Sequence, residues 1–462
     1  MSKQSTGNKE KNLKQILSAL KKEELITIVL DLAEENEEIQ KGLLFQYSSN
    51  EDVISNSKKL IKEYIKQSKY QGFIPWNKLG DALQGVYMTL DKARQKLLEE
   101  DPNTAISLCL IILPEVLKMM NYSDDSGGFI SPVVSNSLDI INDASYLVSY
   151  LDEKQQESFF MKILKEAEHS CYDDWDEWRL GLLESCIHFC SIEKLRNKLE
   201  NLLEKLLSEI KENSWSAGYK KENIKLLQYQ IIEQFDGIDD AIQFVYKNVK
   251  LGEFREKAID NLLQSNDYLE VLRLCEDGII EDQKYRGQVK KWKQYQLVAY
   301  EKLEDKNKQS ELLLEFIHDN HFEYYSKLKK LYQPSEWISV LEGILAELEK
   351  QRYIPNIYVE ILVEERMSNK LLQYCKSHIS SIKNLYPHLV EEYLEETREI
   401  YAKLIEVEAG QATERKMYKK VCKTIVEFNK IFGSEYSQNM ISDFKQKYAK
   451  KPAFIDELSK LK

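Results

Sequence analysis

Apolar residues recur at helical spacing along almost all of this chain, and few turn residues interrupt them. Leu13, Ile16, Leu17 and Leu20 fall at i, i+3, i+4 and i+7, and Leu25, Ile28, Val29 and Leu32 repeat the pattern. The 462 residues include only 16 Gly and 8 Pro, roughly 5% against an average usage of about 12%. Sandwiches, barrels and propellers place Gly and Pro at their corners, so this scarcity argues against them. Hydrophobic residues make up 43% and charged residues 31%, enough for a sizeable core. The expectation is an all-α protein, an irregular α-solenoid of stacked helical hairpins with a tetratricopeptide- or HEAT-like shape.

Punctuation divides the pattern. Residues 1–10 read as a disordered tail and 11–50 as a small N-terminal helical module, with Ser48-Ser49-Asn50 as a break. A helical domain is expected over 51–215 and a helical-repeat domain over 216–462. Inside the first, Gly72-Phe73-Ile74-Pro75 breaks a helix and Lys78–Glu100 reads as one long helix. Asp101 then suits an N-cap, with Pro102 opening the next helix. Ser123–Ser131 is the most loop-like stretch. In the repeat domain, Asp236-Gly237, Leu251-Gly252, Ser265-Asn266-Asp267, Asp277-Gly278, Asp319-Asn320 and Gln333-Pro334 are expected links, giving roughly 30–40 residues per hairpin.

The net charge is -12, which disfavours sequence-independent nucleic-acid binding by the whole surface. The seven cysteines are scattered and follow a polar leader without an apolar segment, so reduced, buried thiols in the cytoplasm are expected. The longest apolar run, Ala105–Val116, contains Ser107 and Pro114 and reads as a buried helix, with no membrane span.

Four constellations carry potential chemistry. Cys186-Ile187-His188-Phe189-Cys190 places two thiols on one helical face but turns His188 about 200° away, so packing is favoured over metal binding. His318 and His321 flank Asp319-Asn320, which reads as a turn capping a helix from Phe322. Asp173-Asp174-Trp175-Asp176-Glu177-Trp178 reads as a helix start complementing the dipole. Lys284, Arg286, Lys290, Lys291 and Lys293 interleave with Tyr285, Trp292 and Tyr295. These five cations are the candidate contacts for a partner or a nucleic acid, with Trp292 and Tyr295 facing the core at i, i+3.

No phosphate-binding glycine loop, HExxH, GxSxG or EF-hand pattern occurs. No catalytic, cofactor or metal residues are therefore expected, and no enzyme. Several phrases carry a resemblance instead: Phe254-Arg255-Glu256-Lys257-Ala258-Ile259, Leu274-Cys275-Glu276-Asp277-Gly278, Asp319–Tyr325 followed by Glu336-Trp337, Tyr418–Cys422 and Lys451–Leu458. With Lys22–Ile26 and Asp31–Glu35, they resemble the helical region that follows the zinc-binding module in bacterial SWIM zinc-finger proteins. The Cys-x-Cys of that module has no counterpart here, so its zinc ligands do not carry over. The resemblance implies a stand-alone copy of a region without an assigned activity. The leading expectation is a non-enzymatic scaffold binding a protein or peptide along a concave surface. The alternative is a nucleic-acid-associated protein using the local basic face.

Overall fold

The computed structural model describes residues 16–47, 53–211 and 216–461; the expected tail and the Ser48-Ser49-Asn50 break lie outside them. The described residues form α- and 3-10 helices, joined by two isolated bridges and no strand. The fold is all-α. Two compact units divide the chain, Met1–Asn261 and Leu262–Lys462, and residue 216 falls within the first.

The first unit is built around the helix Pro102–Met119. Asp101 caps it, its carboxylate accepting from the Thr104 N–H at 3.1 Å, and Pro102 takes the first position as the sequence predicts. Ala105, Ile106, Leu108, Cys109, Ile112, Leu113 and Val116 are all buried, on more than one face. The helices Val53–Ser68, Gln84–Leu98, Ile130–Val148 and Glu153–Ala167 pack around it. By length and composition this helix is apolar enough to cross a membrane, and its four neighbours explain why it is apolar all round.

The long helix expected over Lys78–Glu100 is two helices, Trp76–Ala82 and Gln84–Leu98, meeting at Leu83. The second of them is closely packed. Gly85 lies against the backbone of the Val53–Ser68 helix, where an added Cβ would stand 2.9 Å from the Leu60 carbonyl oxygen and 3.0 Å from the Ile61 Cα. The Ser123–Ser131 loop has its own fastening, because the Asp125 carboxylate accepts from the Phe129 N–H at 2.6 Å and the Ile130 N–H at 3.2 Å.

The helix Lys22–Glu35 packs on Glu37–Tyr47. Its expected stripe is only partly covered: Ala33 is buried, whereas Ile28, Val29 and Leu32 are exposed. At 100° per residue the apolar arc of this helix is roughly 200° wide, more than a single neighbour can cover.

In the second unit, helices pack largely on their neighbours in sequence. Tyr268–Glu281 lies on Arg286–Lys302, which lies on Lys306–His318. Leu394–Gln411 lies on Arg415–Phe432, and the latter also meets Ser434–Lys447 and Pro452–Ser459. The expected link at Asp277-Gly278 is helical instead, since Gly278 sits buried inside Tyr268–Glu281. A mid-helix Gly costs about 1 kcal/mol of propensity, and burial among closely packed helices offsets it. One polar network braces the far end. Lys383 Nζ donates to Glu408 and Thr424 at 2.9 Å each, and the Thr424 hydroxyl donates to Glu408 at 3.0 Å.

Candidate functional site

The second unit carries an apolar recess where the chain turns after Lys306–His318. Asn320 adopts a left-handed φ of 70°, and the Asn320 and His321 N–H groups donate to Ile317 and Phe316 carbonyls at 3.0 Å. Asp319-Asn320 therefore closes the preceding helix rather than capping the next one, a correction to the sequence expectation. The reason is that Asn tolerates left-handed backbone and its side-chain oxygen is engaged elsewhere, accepting from the Ile357 N–H at 3.0 Å. After this turn come the 3-10 segment Phe322–Tyr324 and the helices Tyr325–Lys330 and Pro334–Glu349.

These elements form a groove of about 890 Å³ floored by Phe322, Tyr325, Tyr332 and Trp337 and edged by Glu323, Lys329, Lys330 and Glu364. The rings make a continuous array. Phe322 stacks on Tyr325 with centroids 5.5 Å apart, Tyr325 meets Trp337 edge-on at 5.4 Å, and Tyr332 lies 6.2 Å from Trp337. The two tyrosine hydroxyls are hydrogen-bonded. The Tyr332 hydroxyl and the Ser310 hydroxyl are 2.5 Å apart. The Tyr325 hydroxyl donates to Glu365 at 2.7 Å, where Lys329 Nζ also donates at 2.6 Å. Burial opposes charge on Glu365, but Lys329 and Tyr325 outweigh it and hold this carboxyl below the usual range. Burial and Glu365 together push the Tyr325 phenol up, so it remains a neutral donor. The floor is thus rigid and apolar, and the rim is charged.

On the other side of the Phe322–Tyr324 turn lies a cavity of about 610 Å³ lined by Arg286, Lys290, Lys293, Phe316, Asp319 and His321, among others. Three of the five sequence-proposed cations line it. Lys293 is ion-paired with Glu315. Lys290 Nζ lies 3.4 Å from His321 Nδ1 and 3.9 Å from Glu323, so Lys290 links the lining of the cavity to that of the groove. Lys284 and Arg286 are exposed and form no ion pair among the described residues. Lys291 instead stands 5.9 Å over the Trp292 ring. Trp292 itself is fully buried and stacks near Tyr295 at 6.4 Å.

The remaining constellations make local contacts, and Asp173, Asp176 and Arg179 line a recess of about 550 Å³ in the first unit. Asp176 and Glu177 occupy the first turn of a helix, while Asp173 and Asp176 pair with Arg179 at 2.6 and 3.8 Å. Trp175 stacks on Trp178 at 4.6 Å. Cys186–Phe189 is a 3-10 segment rather than α-helix, with Cys186 and Cys190 buried. Among the described residues no three His, Cys, Asp or Glu side chains converge as a metal site.

His188 Nε2 lies 3.0 Å from the Asn142 Oδ1 oxygen, making Nε2 the protonated nitrogen. Burial holds this imidazole below the usual histidine range, although Glu184 and Asp143 pull the other way. The folded state therefore resists protonation of His188. Stability from this site is complete above the unfolded pKa of about 6.5 and declines as pH falls below it, until the folded pKa is reached. Denaturant midpoints measured from pH 8 to pH 5 are expected to drop less in His188→Gln than in the wild type. Parallel curves would refute the assignment.

Comparison of the chain with known protein families, with curated proteins and with solved structures finds no match.

Proposed function

We infer that this chain is a non-enzymatic helical scaffold that binds a peptide segment of a partner protein in the groove floored by Phe322, Tyr325, Tyr332 and Trp337. The observation that supports this reading is the shape and chemistry of that groove: an apolar aromatic floor within a charged rim on a protein of net charge -12. Pre-ordered aromatic rings lose little entropy on binding, which favours them as anchoring surfaces. The nucleic-acid alternative is weaker on physical grounds. Base stacking needs open ring faces, whereas Trp292, the indole within the run of cations, is 0% exposed. Free cysteines agree with a reducing, cytoplasmic setting. Kinship with the helical region of SWIM zinc-finger proteins belongs to the same proposal and rests on the shared phrases alone.

The test is selection of a displayed random-peptide library on the full-length chain, repeated with Phe322→Asp. Phe322 is half-buried at the groove, so a carboxylate there opposes an apolar ligand without removing a core side chain. Selected peptides are expected to bind the variant at least about tenfold more weakly, equivalent to about 1.4 kcal/mol. Failure to enrich any sequence, or equal binding by the variant, would overturn the reading.

A further inference from the structure

The geometry points to an acidic ligand: the peptide that seats an apolar side chain in the aromatic groove carries adjoining Asp or Glu residues, read by Arg286 and Lys290 in the neighbouring cavity and by Lys330 at the groove rim. This deepens the peptide-binding reading and rests on it.

Charge complementarity carries the inference. Of the cations around the two recesses, Lys293 is taken by Glu315 and Lys329 by Glu365. Arg286, Lys330 and the nearby Lys284 form no ion pair among the described residues. Lys290 is shared between His321 and Glu323 at 3.4 and 3.9 Å, leaving donor capacity on a three-donor ammonium. Two carboxylates without a cationic partner among the described residues oppose an anion, Asp319 in the cavity and Glu364 at the groove rim. Arg286, Lys290 and Lys330 together outweigh them.

The recesses are continuous in chemistry. Lys290 faces the cavity while its partner Glu323 edges the groove, and only the turn at 321–323 separates them. A chain crossing that turn meets an apolar floor first and cations next. An arginine reads a carboxylate through two parallel hydrogen bonds, which gives Arg286 the larger share. The overall negative charge of the protein repels an extended acidic surface, so the favoured ligand is a short acidic segment of a partner protein.

The full-length chain is used with the displayed random-peptide library, and enriched peptides are synthesised with a fluorophore. The expected result is enrichment of sequences with an apolar residue beside Asp or Glu. Anisotropy titration is expected to show about tenfold weaker binding by Arg286→Gln/Lys290→Gln, and weakening of the wild-type complex by added salt. Melting curves of the variant matching the wild type establish that it remains folded. Enriched peptides that are neutral or basic would overturn the acidic inference and leave the groove reading standing. So would acidic peptides whose affinity ignores the double variant. No enrichment at all removes both. A labelled single-stranded oligonucleotide bound at low salt through Arg286 and Lys290, with no peptide bound, would assign the cavity to nucleic acid and overturn the proposal.

Discussion

Trp292→Ala is expected to destabilise the Leu262–Lys462 unit by about 3–5 kcal/mol, the range for removing a large aromatic side chain from a packed core. The indole has 0% exposure, so the deleted volume cannot be filled by water without cost. Its Nε1–H donates to the Asp282 carboxylate at 2.7 Å, and truncation removes that charge-assisted bond as well. Trp292→Phe retains most of the volume and loses only the bond, so its effect falls between wild type and Ala. Urea unfolding followed by circular dichroism measures the series. A Trp292→Ala midpoint equal to the wild type would mean that this side chain does not stabilise the helices packed around it.

Gly85→Ala is the second large effect, and its sign is opposite to helix propensity. Ala is the better helix former by about 1 kcal/mol, yet a Cβ at residue 85 would stand 2.9 Å from the Leu60 carbonyl oxygen. The Leu60 oxygen is backbone, which cannot rotate away as a side chain can, so a net loss of about 1–3 kcal/mol is expected. Gly80→Ala is the control. No atom lies within 4 Å of a Cβ there, and a gain of about 0.4–1 kcal/mol follows from the restricted unfolded chain. Thermal unfolding that shows both variants shifting the same way would contradict the packing described between Val53–Ser68 and Gln84–Leu98.

The contrast between these two glycines shows what the sequence can disclose. Local chemistry was legible. Asp101-Pro102 marks a helix start because capping and fixed φ are properties of those residues alone. Asp236-Gly237 marks a turn, and Gly237 has a φ of 105°. Of the i, i+3 pair, Trp292 is fully buried as periodicity requires, while Tyr295 is half-buried. Tertiary chemistry was not. The close approach of a neighbouring backbone to Gly85 and the burial of the helical Gly278 are announced by no spacing. Ile28, Val29 and Leu32 have helical spacing but are exposed among the described residues.

The site divides along the same line. Lys284, Arg286, Lys290, Lys291 and Lys293 stand out as a run of cations, but the structure separates them by partner. Lys293 is paired, Lys291 lies over Trp292, and only Arg286, Lys290 and Lys293 line the cavity. The groove itself left little trace. Phe322 and Tyr325 have helical spacing, but Tyr332 and Trp337 lie beyond a helix end and the Gln333-Pro334 link. Only the chain reversal there brings the four rings together. The available signal was the density of aromatics between residues 322 and 337, which reads equally well as core.

Amide hydrogen exchange of the full-length chain, with and without a library-selected peptide, tests the central claim most directly. Protection concentrated in Phe322–Lys330, at Trp337 and along Arg286–Lys293, with the Met1–Asn261 unit unchanged, is the predicted result. Protection confined to other helices would contradict the assignment of the aromatic groove as the binding surface.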